Sequence, residues 1–259
     1  MHKNDHWIVD LDGTLISGDC ILPGALDFMR ENGPRTVIVS NNSTDTAEEV
    51  ARRLAGHGIE VDPGRILLAG MAAIDELQRT ARPARVLMLA PARTRAYAKK
   101  RGMQLVERNA DIVLVCRDTD FDYRKLQRAA VEVASGAELV AANPDFSHPD
   151  PRGAPVPEAG ALLCAVEVCA GVKARRVIGK PSPHLFREAL LRLGCEAREA
   201  VVIGDNPNTD IAGAAALGLR SILVGKHPDA VASTLAALAA SQVRKESYAP
   251  PSCDCLGVE

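Results

Sequence analysis

The chain has 259 residues, 47% of them apolar and 25% charged, with a formal net charge of −2. This is the composition of a globular chain large enough to bury its own core without staples. The charge balance argues against a nucleic-acid surface, which needs a basic face, and no apolar run is long enough to span a bilayer.

In chain order, a strand is expected over 8–11 and a helix over 23–31, opened by Pro23. A strand follows over 35–39, then a helix over 44–56 with Thr44 or Asp45 as N-cap and Gly56 near its end. A further helix is expected over 72–80. About a hundred residues with their own alternation come next: strand 86–89, helix 94–101, strand 112–116, helix 123–135 and strand 139–142. A Pro- and Gly-rich stretch over 143–160 leads into an apolar helix over 161–170. The first rhythm then resumes, with strand 176–178, helix 183–193, strand 200–203, helix 210–217 and strand 221–224. Gly194 and Gly218 are the helix stops. This gives an α/β fold, a Rossmann-like parallel-sheet core with an inserted α/β cap domain. The core is expected over 1–81 and 173–246, the cap over 82–172 and a flexible tail over 247–259.

Four polar clusters each follow a short apolar run. They are Asp10-Leu11-Asp12-Gly13-Thr14, Ser40-Asn41-Asn42-Ser43, Gly179-Lys180-Pro181-Ser182-Pro183 and Gly204-Asp205-Asn206-Pro207-Asn208-Thr209-Asp210. Ligands in open α/β sheets bind beyond the carboxyl ends of the strands, so folding is expected to gather all four at one rim of one sheet. Asp10 is a competent nucleophile toward phosphorus. With the turn at Gly13, Asp12 can face the leaving oxygen as acid and then base. A phosphate monoester beside Asp10 adds like charge, about 4 kcal/mol for two charges 4 Å apart at an effective dielectric of 20. Positive charge is therefore required. Asp10 and Asp205 can hold Mg²⁺ through oxygen, Lys180 supplies a fixed charge, and Ser40, Asn41 and Asn42 offer donors to phosphoryl oxygens. Singly, each has a bland reading: an Asx turn at Asp10 or Asp205, a helix cap at Asp210, a solvated Lys180, a turn-starting Ser40. All four in this order make the bland readings jointly improbable.

These residues resemble the haloacid dehalogenase superfamily of phosphohydrolases. Asp10 to Thr14 looks like its nucleophile loop, Ser40 its second-motif hydroxyl, Lys180 its third-motif lysine, and Gly204-Asp205 with Asp210 its metal motif. The large insertion between the second and third motifs is similar to the NagD-like branch, which includes nucleotide, pyridoxal phosphate and phosphoglycolate phosphatases. So are Asp120-Phe121-Asp122-Tyr123 and Asn143-Pro144-Asp145. The resemblance implies a phosphoric monoester hydrolase acting through an aspartyl-phosphate on Asp10. Mg²⁺ would be held by the Asp10 carboxylate, the Asp12 carbonyl and Asp205, with Asp210 and Thr14 supporting. It also implies that Asn143, Asp145 and His148 on the cap reach the substrate, although His148 reads equally as a solvated loop residue. Ile16 and Pro157-Glu158-Ala159-Gly160 depart from the branch's commoner phrases, so the substrate is not transferable. Nucleotides, sugar phosphates, pyridoxal phosphate and phosphoglycolate all stay open. A phosphotransferase or mutase on the same scaffold is the nearest rival, and a non-catalytic phosphometabolite-binding module the next.

The expected partner is a small phosphorylated metabolite, with no nucleic acid and no membrane, and by resemblance a homodimer through the cap. The N-terminus lacks a signal-peptide pattern. The seven cysteines are odd in number and mostly in apolar segments. Both features fit reduced, buried thiols in the cytoplasm. Cys253 and Cys255 lie in the tail, with no second ligand pair.

Overall fold

Short runs of buried aliphatic residues, each ending in a turn, set the architecture of the computed structural model, which describes residues 5–80, 83–150 and 152–246. The first part holds β1 (His6–Asp10), a small hairpin of β2 (Ile16–Ser17) and β3 (Cys20–Ile21), and α1 (Ala25–Asn32). β4 (Thr36–Ser40), α2 (Ala47–Ala55), β5 (Ile66–Leu68) and α3 (Ala69–Thr80) complete it. The insertion carries β6 (Arg85–Leu89), α4 (Ala92–Lys100), β7 (Gln104–Leu105), β8 (Ile112–Val115), α5 (Tyr123–Ala134) and β9 (Glu138–Ala141). It continues with β10 (Ser147–Pro149), β11 (Pro155–Pro157), α6 (Ala159–Ala170) and β12 (Arg176–Val177). The last part holds α7 (Pro183–Leu193), β13 (Ala200–Gly204), a π-helical turn at Pro207–Ile211, α8 (Ala212–Ala215), β14 (Arg220–Leu223) and α9 (Leu235–Glu246).

Two five-stranded parallel sheets result. The core sheet runs β14-β13-β1-β4-β5 and the cap sheet β12-β9-β8-β6-β7. Both faces of the core sheet are covered, as a parallel sheet requires. One face packs Trp7, Val9 and Ile38 against Phe28, Val50 and Leu54. The other packs Ile8, Val37 and Val39 against Leu185 and Phe186, and this apolar cluster continues through α3 into Val86, Met88 and Leu114 of the cap. The outer cap face packs Leu87 and Val113 against Val133 of α5 and Leu163 of α6.

The α/β expectation and the inserted unit hold, with corrections. The strand expected over 176–178 joins the cap sheet, with Arg176 opposite Val140, not the core. The expected cap–core boundary at 172 and 173 therefore falls inside the cap, and the chain returns to the core after Val177. The α2 cap is Thr46, not Thr44 or Asp45, because Glu49 completes a capping box with it. Strand β5 was not expected: three buried residues run directly into α3 with no turn residue to separate them. The hairpin β10–β11 organises the stretch expected as a loop. Helix α9 was also unforeseen. Of the described cysteines, Cys116 is buried and Cys195 half-buried, but Cys20, Cys164 and Cys169 are exposed, so burial does not explain them. Cys253, Cys255 and the tail lie outside the described residues. Among those residues no helix is long and apolar enough to cross a membrane.

Candidate active site

Three of the four clusters begin where core strands end. Asp10 closes β1, Ser40 closes β4 and Gly204 closes β13, and these strands are neighbours in one parallel sheet. The third cluster arrives differently. It follows β12 of the cap sheet, so Lys180 enters the core rim from the returning chain and not from a core strand. It is nevertheless buried against the same residues.

Lys180 is the hub. Its Nζ donates to Asp10 Oδ1 at 2.6 Å, to Asp210 Oδ1 at 2.7 Å and to the Val39 carbonyl at 3.1 Å. An ammonium has three donors, and all are taken by protein oxygens. The lysine thus first fixes the carboxylates, where a direct role on phosphoryl oxygens was expected. Burial alone would lower its pKa, but Asp10 and Asp210 raise it above the ordinary value. Asp10 Oδ2 is solvent-excluded and has no hydrogen-bond partner. Burial raises the Asp10 carboxyl well above its usual range; Lys180 opposes this, while Asp210, Asp205 and Asp12 add repulsion. Asp205 is pushed up to about 6, by burial first and then by Asp210.

Carboxylate oxygens of Asp10, Asp205 and Asp210 lie within 4.8 Å of one another. One lysine against three carboxylates leaves excess negative charge, and one buried oxygen is free. An oxygen-only donor set of this charge fits a hard divalent cation. Glycines let the carboxylates approach. A Cβ on Gly204 would lie 2.3 Å from Asp210 Cγ, and one on Gly13, whose φ is +89°, 2.0 Å from Asp205 Oδ2. Asp210 is also tied to its own turn, accepting from the Asn206 N–H at 3.1 Å.

Asp12 stands exposed beside this cluster and accepts from Ser40 Oγ at 3.2 Å. Ser40 Oγ in turn accepts from the Asn42 N–H at 3.0 Å. The buried Thr14 hydroxyl has no protein partner. Asn41 links three segments: its amide nitrogen donates to Asp145 Oδ2 and to the Lys180 carbonyl, each at 3.0 Å, and its Oδ1 accepts from the Lys180 N–H at 2.7 Å. Asn42 and Asn143 do not present side chains to the site as expected. Asn42 Oδ1 accepts from the Thr44 and Asp45 N–H groups, organising the turn before α2. Asn143 is fully buried and donates to the Asn41 carbonyl at 2.6 Å, joining cap to core. Asp145 reaches the site edge through Asn41, and burial raises its carboxyl above the usual range.

His148 lies on β10, with Nδ1 2.7 Å from Glu158 Oε1, at ion-pair distance but without hydrogen-bond alignment. Arg117 Nη1 is 3.5 Å from the same oxygen, and the Arg117 N–H donates to Ser43 Oγ at 2.9 Å. Neither Arg117 nor Glu158 was foreseen. Arg117 follows the end of a buried strand, the signal that marked the core clusters. Glu158 stands out in the sequence only as a departure from the commoner phrase.

Two family models match. A haloacid dehalogenase-like hydrolase model covers residues 7–104 and a related hydrolase-like model residues 177–244. The chain is 32% identical over 228 residues to an acid sugar phosphatase of Staphylococcus aureus, covering 86% of this chain and 87% of that one. A 4-nitrophenylphosphatase structure from Thermotoga maritima superposes with a TM-score of 0.85 at 27% identity, over 92% of this chain and 97% of that one. A Mycobacterium tuberculosis glycerol phosphate phosphatase, in complex with magnesium, gives 0.78 at 32% identity, over 86% and 68% respectively. With matched residues on both sides of the insertion and the carboxylate–lysine cluster between them, the chain belongs to the haloacid dehalogenase-like hydrolases, in their NagD-like phosphatase branch.

Proposed function

We propose that the chain is a Mg²⁺-dependent phosphatase that hydrolyses a small phosphate monoester through an aspartyl-phosphate on Asp10. The observation that carries this reading is the asymmetric environment of Asp10: Lys180 holds Oδ1 while Oδ2 is left without a partner. The ion pair opposes the burial that raises this carboxyl and leaves one oxygen free to attack. Asp12, exposed and steadied by Ser40, donates a proton to the leaving oxygen as the phosphorus–oxygen bond to the alcohol breaks. It then accepts a proton from the water that attacks phosphorus, which releases inorganic phosphate and restores Asp10. Asp10, Asp205 and the Asp12 carbonyl would hold the cation, with Asp210 supporting them and Lys180. When bound, the cation offsets negative charge on the phosphoryl oxygens.

Sugar phosphates and glycerol phosphate are reasonable first substrates, because relatives named for them share most of this chain's length. The decisive test is Asp10→Asn assayed for phosphate release from 4-nitrophenyl phosphate. Turnover should fall by about 10³ or more, with an unchanged far-UV spectrum and a cooperative melt. Substantial phosphate release by the folded variant removes Asp10 as nucleophile. Transfer of the group to an added alcohol, with little free phosphate, turns the reading to a phosphotransferase.

A further inference from the structure

Three side chains on the cap meet near Asp145, which reaches the candidate site through Asn41. Glu158 immediately precedes α6, where an N-cap residue would normally accept a helix N–H. Its side chain makes no such bond. It turns instead toward His148 Nδ1 at 2.7 Å and Arg117 Nη1 at 3.5 Å, and is mostly buried there. Its placement is not helix capping.

The group is fixed to the core by short links. The Arg117 N–H donates to Ser43 Oγ, in the loop after β4. The Gly160 N–H donates to the Asp145 carbonyl at 2.7 Å, and Asp145 Oδ2 accepts from Asn41, which also holds the Lys180 backbone. The approach at Gly160 is tight, since a Cβ there would lie 2.2 Å from the Pro144 carbonyl oxygen. The start of α6 is therefore joined to the candidate site through Asp145 and Asn41. Burial raises both the Asp145 and Glu158 carboxyls above their usual range, as expected for acids gathered in a confined place.

Resting on the phosphatase reading above, we propose that Glu158, Arg117 and His148 form the leaving-group subsite and select a neutral, hydroxyl-bearing leaving group over one that carries a carboxylate. A hydroxyl can donate to a carboxylate and accept from a guanidinium or imidazole, so it satisfies both kinds of wall. A carboxylate only accepts. It would face Asp145 and Glu158 with Arg117 already paired to Glu158, and like charges in contact are rejected strongly.

Glycerol 1-phosphate and 3-phosphoglycerate test this directly, because they share a three-carbon chain and differ in one terminal group. The wild-type kcat/KM should favour glycerol 1-phosphate by about tenfold or more. Glu158→Gln should narrow that ratio by roughly tenfold, mainly through KM, and Arg117→Gln should widen it, each ratio being taken between the two substrates in the same folded variant. General loosening of the cap cannot move the two variants in opposite directions, and if one fails to fold the other still carries the test. Equal wild-type use of both substrates, or an unchanged ratio in the folded variants, overturns the subsite. If no phosphate monoester is hydrolysed, the phosphatase reading fails separately. Calorimetric binding of the same two compounds to Asp10→Asn protein, with and without Glu158→Gln, then decides the subsite: the same preference supports it, and absent or indifferent binding overturns it.

Discussion

The carboxyl edge of the core sheet and the loop edge of the cap sheet use the same kind of buried parallel strand but hold their polar groups differently. At the core edge, Asp10, Lys180 and Asp210 are almost wholly buried and joined at 2.6 and 2.7 Å. At the cap edge, His148 is 43% exposed and Arg117 25%, with separations of 2.7 and 3.5 Å to Glu158. Charges held in low dielectric act strongly and reorganise little. Groups near solvent act weakly and can adapt. The core edge therefore suits steps common to every phosphate ester, and the cap edge suits discrimination among leaving groups.

The sharpest way to break this contrast is to remove the hub. Lys180→Met leaves buried Asp10 and Asp210 without their cation. Breaking a buried ion pair by deleting one partner typically costs about 3–5 kcal/mol. Urea unfolding should show a loss of that order, and phosphate release should fall by about 10³ or more, because Asp10 would lose the cation that opposes its protonation. A fully active, equally stable Lys180→Met protein would mean that the lysine is a bystander and the core edge is no more committed than the cap edge.

Cation binding sharpens the same contrast through pH. The Asp205 carboxyl is pushed up to about 6 from an ordinary value of 3.8. A raised carboxyl contributes stability below its unfolded pKa, and that contribution is lost as pH rises through the folded pKa. The metal-free core edge is therefore strained by ionisation between about pH 4 and 6, and a divalent cation relieves it. Protons compete for the same oxygens, at about tenfold in affinity per pH unit for one proton. Magnesium should raise the melting temperature more at pH 7.5 than at pH 5, with chelated protein as reference at each pH. Using that difference cancels groups elsewhere, such as Asp111, which Arg85 holds down at about 2. Equal magnesium-induced shifts at the two pH values would sink the argument.

The two edges also differed in how well they could be read from the chain. Asp10, Asp12, Ser40 and Asp205 follow apolar runs as short motifs, so local spacing marks them. Lys180 was legible as a motif residue, but not the route by which it arrives, because pairing of β12 with β9 is a long-range choice that a two-residue strand does not record. Asn143 and Asn42 look like substrate contacts in sequence, since an amide in a loop reads the same whether it faces solvent or a carbonyl. The structure turns both inward to backbone groups. Arg117 and Glu158 were missed because their meaning is mutual: they are 41 positions apart and come together only when the chain beyond β8 meets the start of α6.

The smallest expected effect tests the cap edge most directly. His148 approaches Glu158 through Nδ1, and nearly half of its side chain is exposed. Its hairpin, with His148 opposite Val156, is short and stands outside both principal sheets. Truncation to alanine removes no buried charge and opens no core cavity, so stability should change by no more than about 0.5 kcal/mol. The core edge keeps Asp10, Asp12 and Lys180 in place, so slow hydrolysis of 4-nitrophenyl phosphate should persist nearly unchanged. A larger, hydroxylated substrate loses one wall contact, for which a fall of about 2- to 30-fold in kcat/KM is expected, from a lost hydrogen bond of about 0.5–2 kcal/mol. Comparing the two substrates in the one variant separates selection from chemistry. A proportional loss on both would show that the hairpin supports the reacting groups themselves, and the division between the two edges would fall.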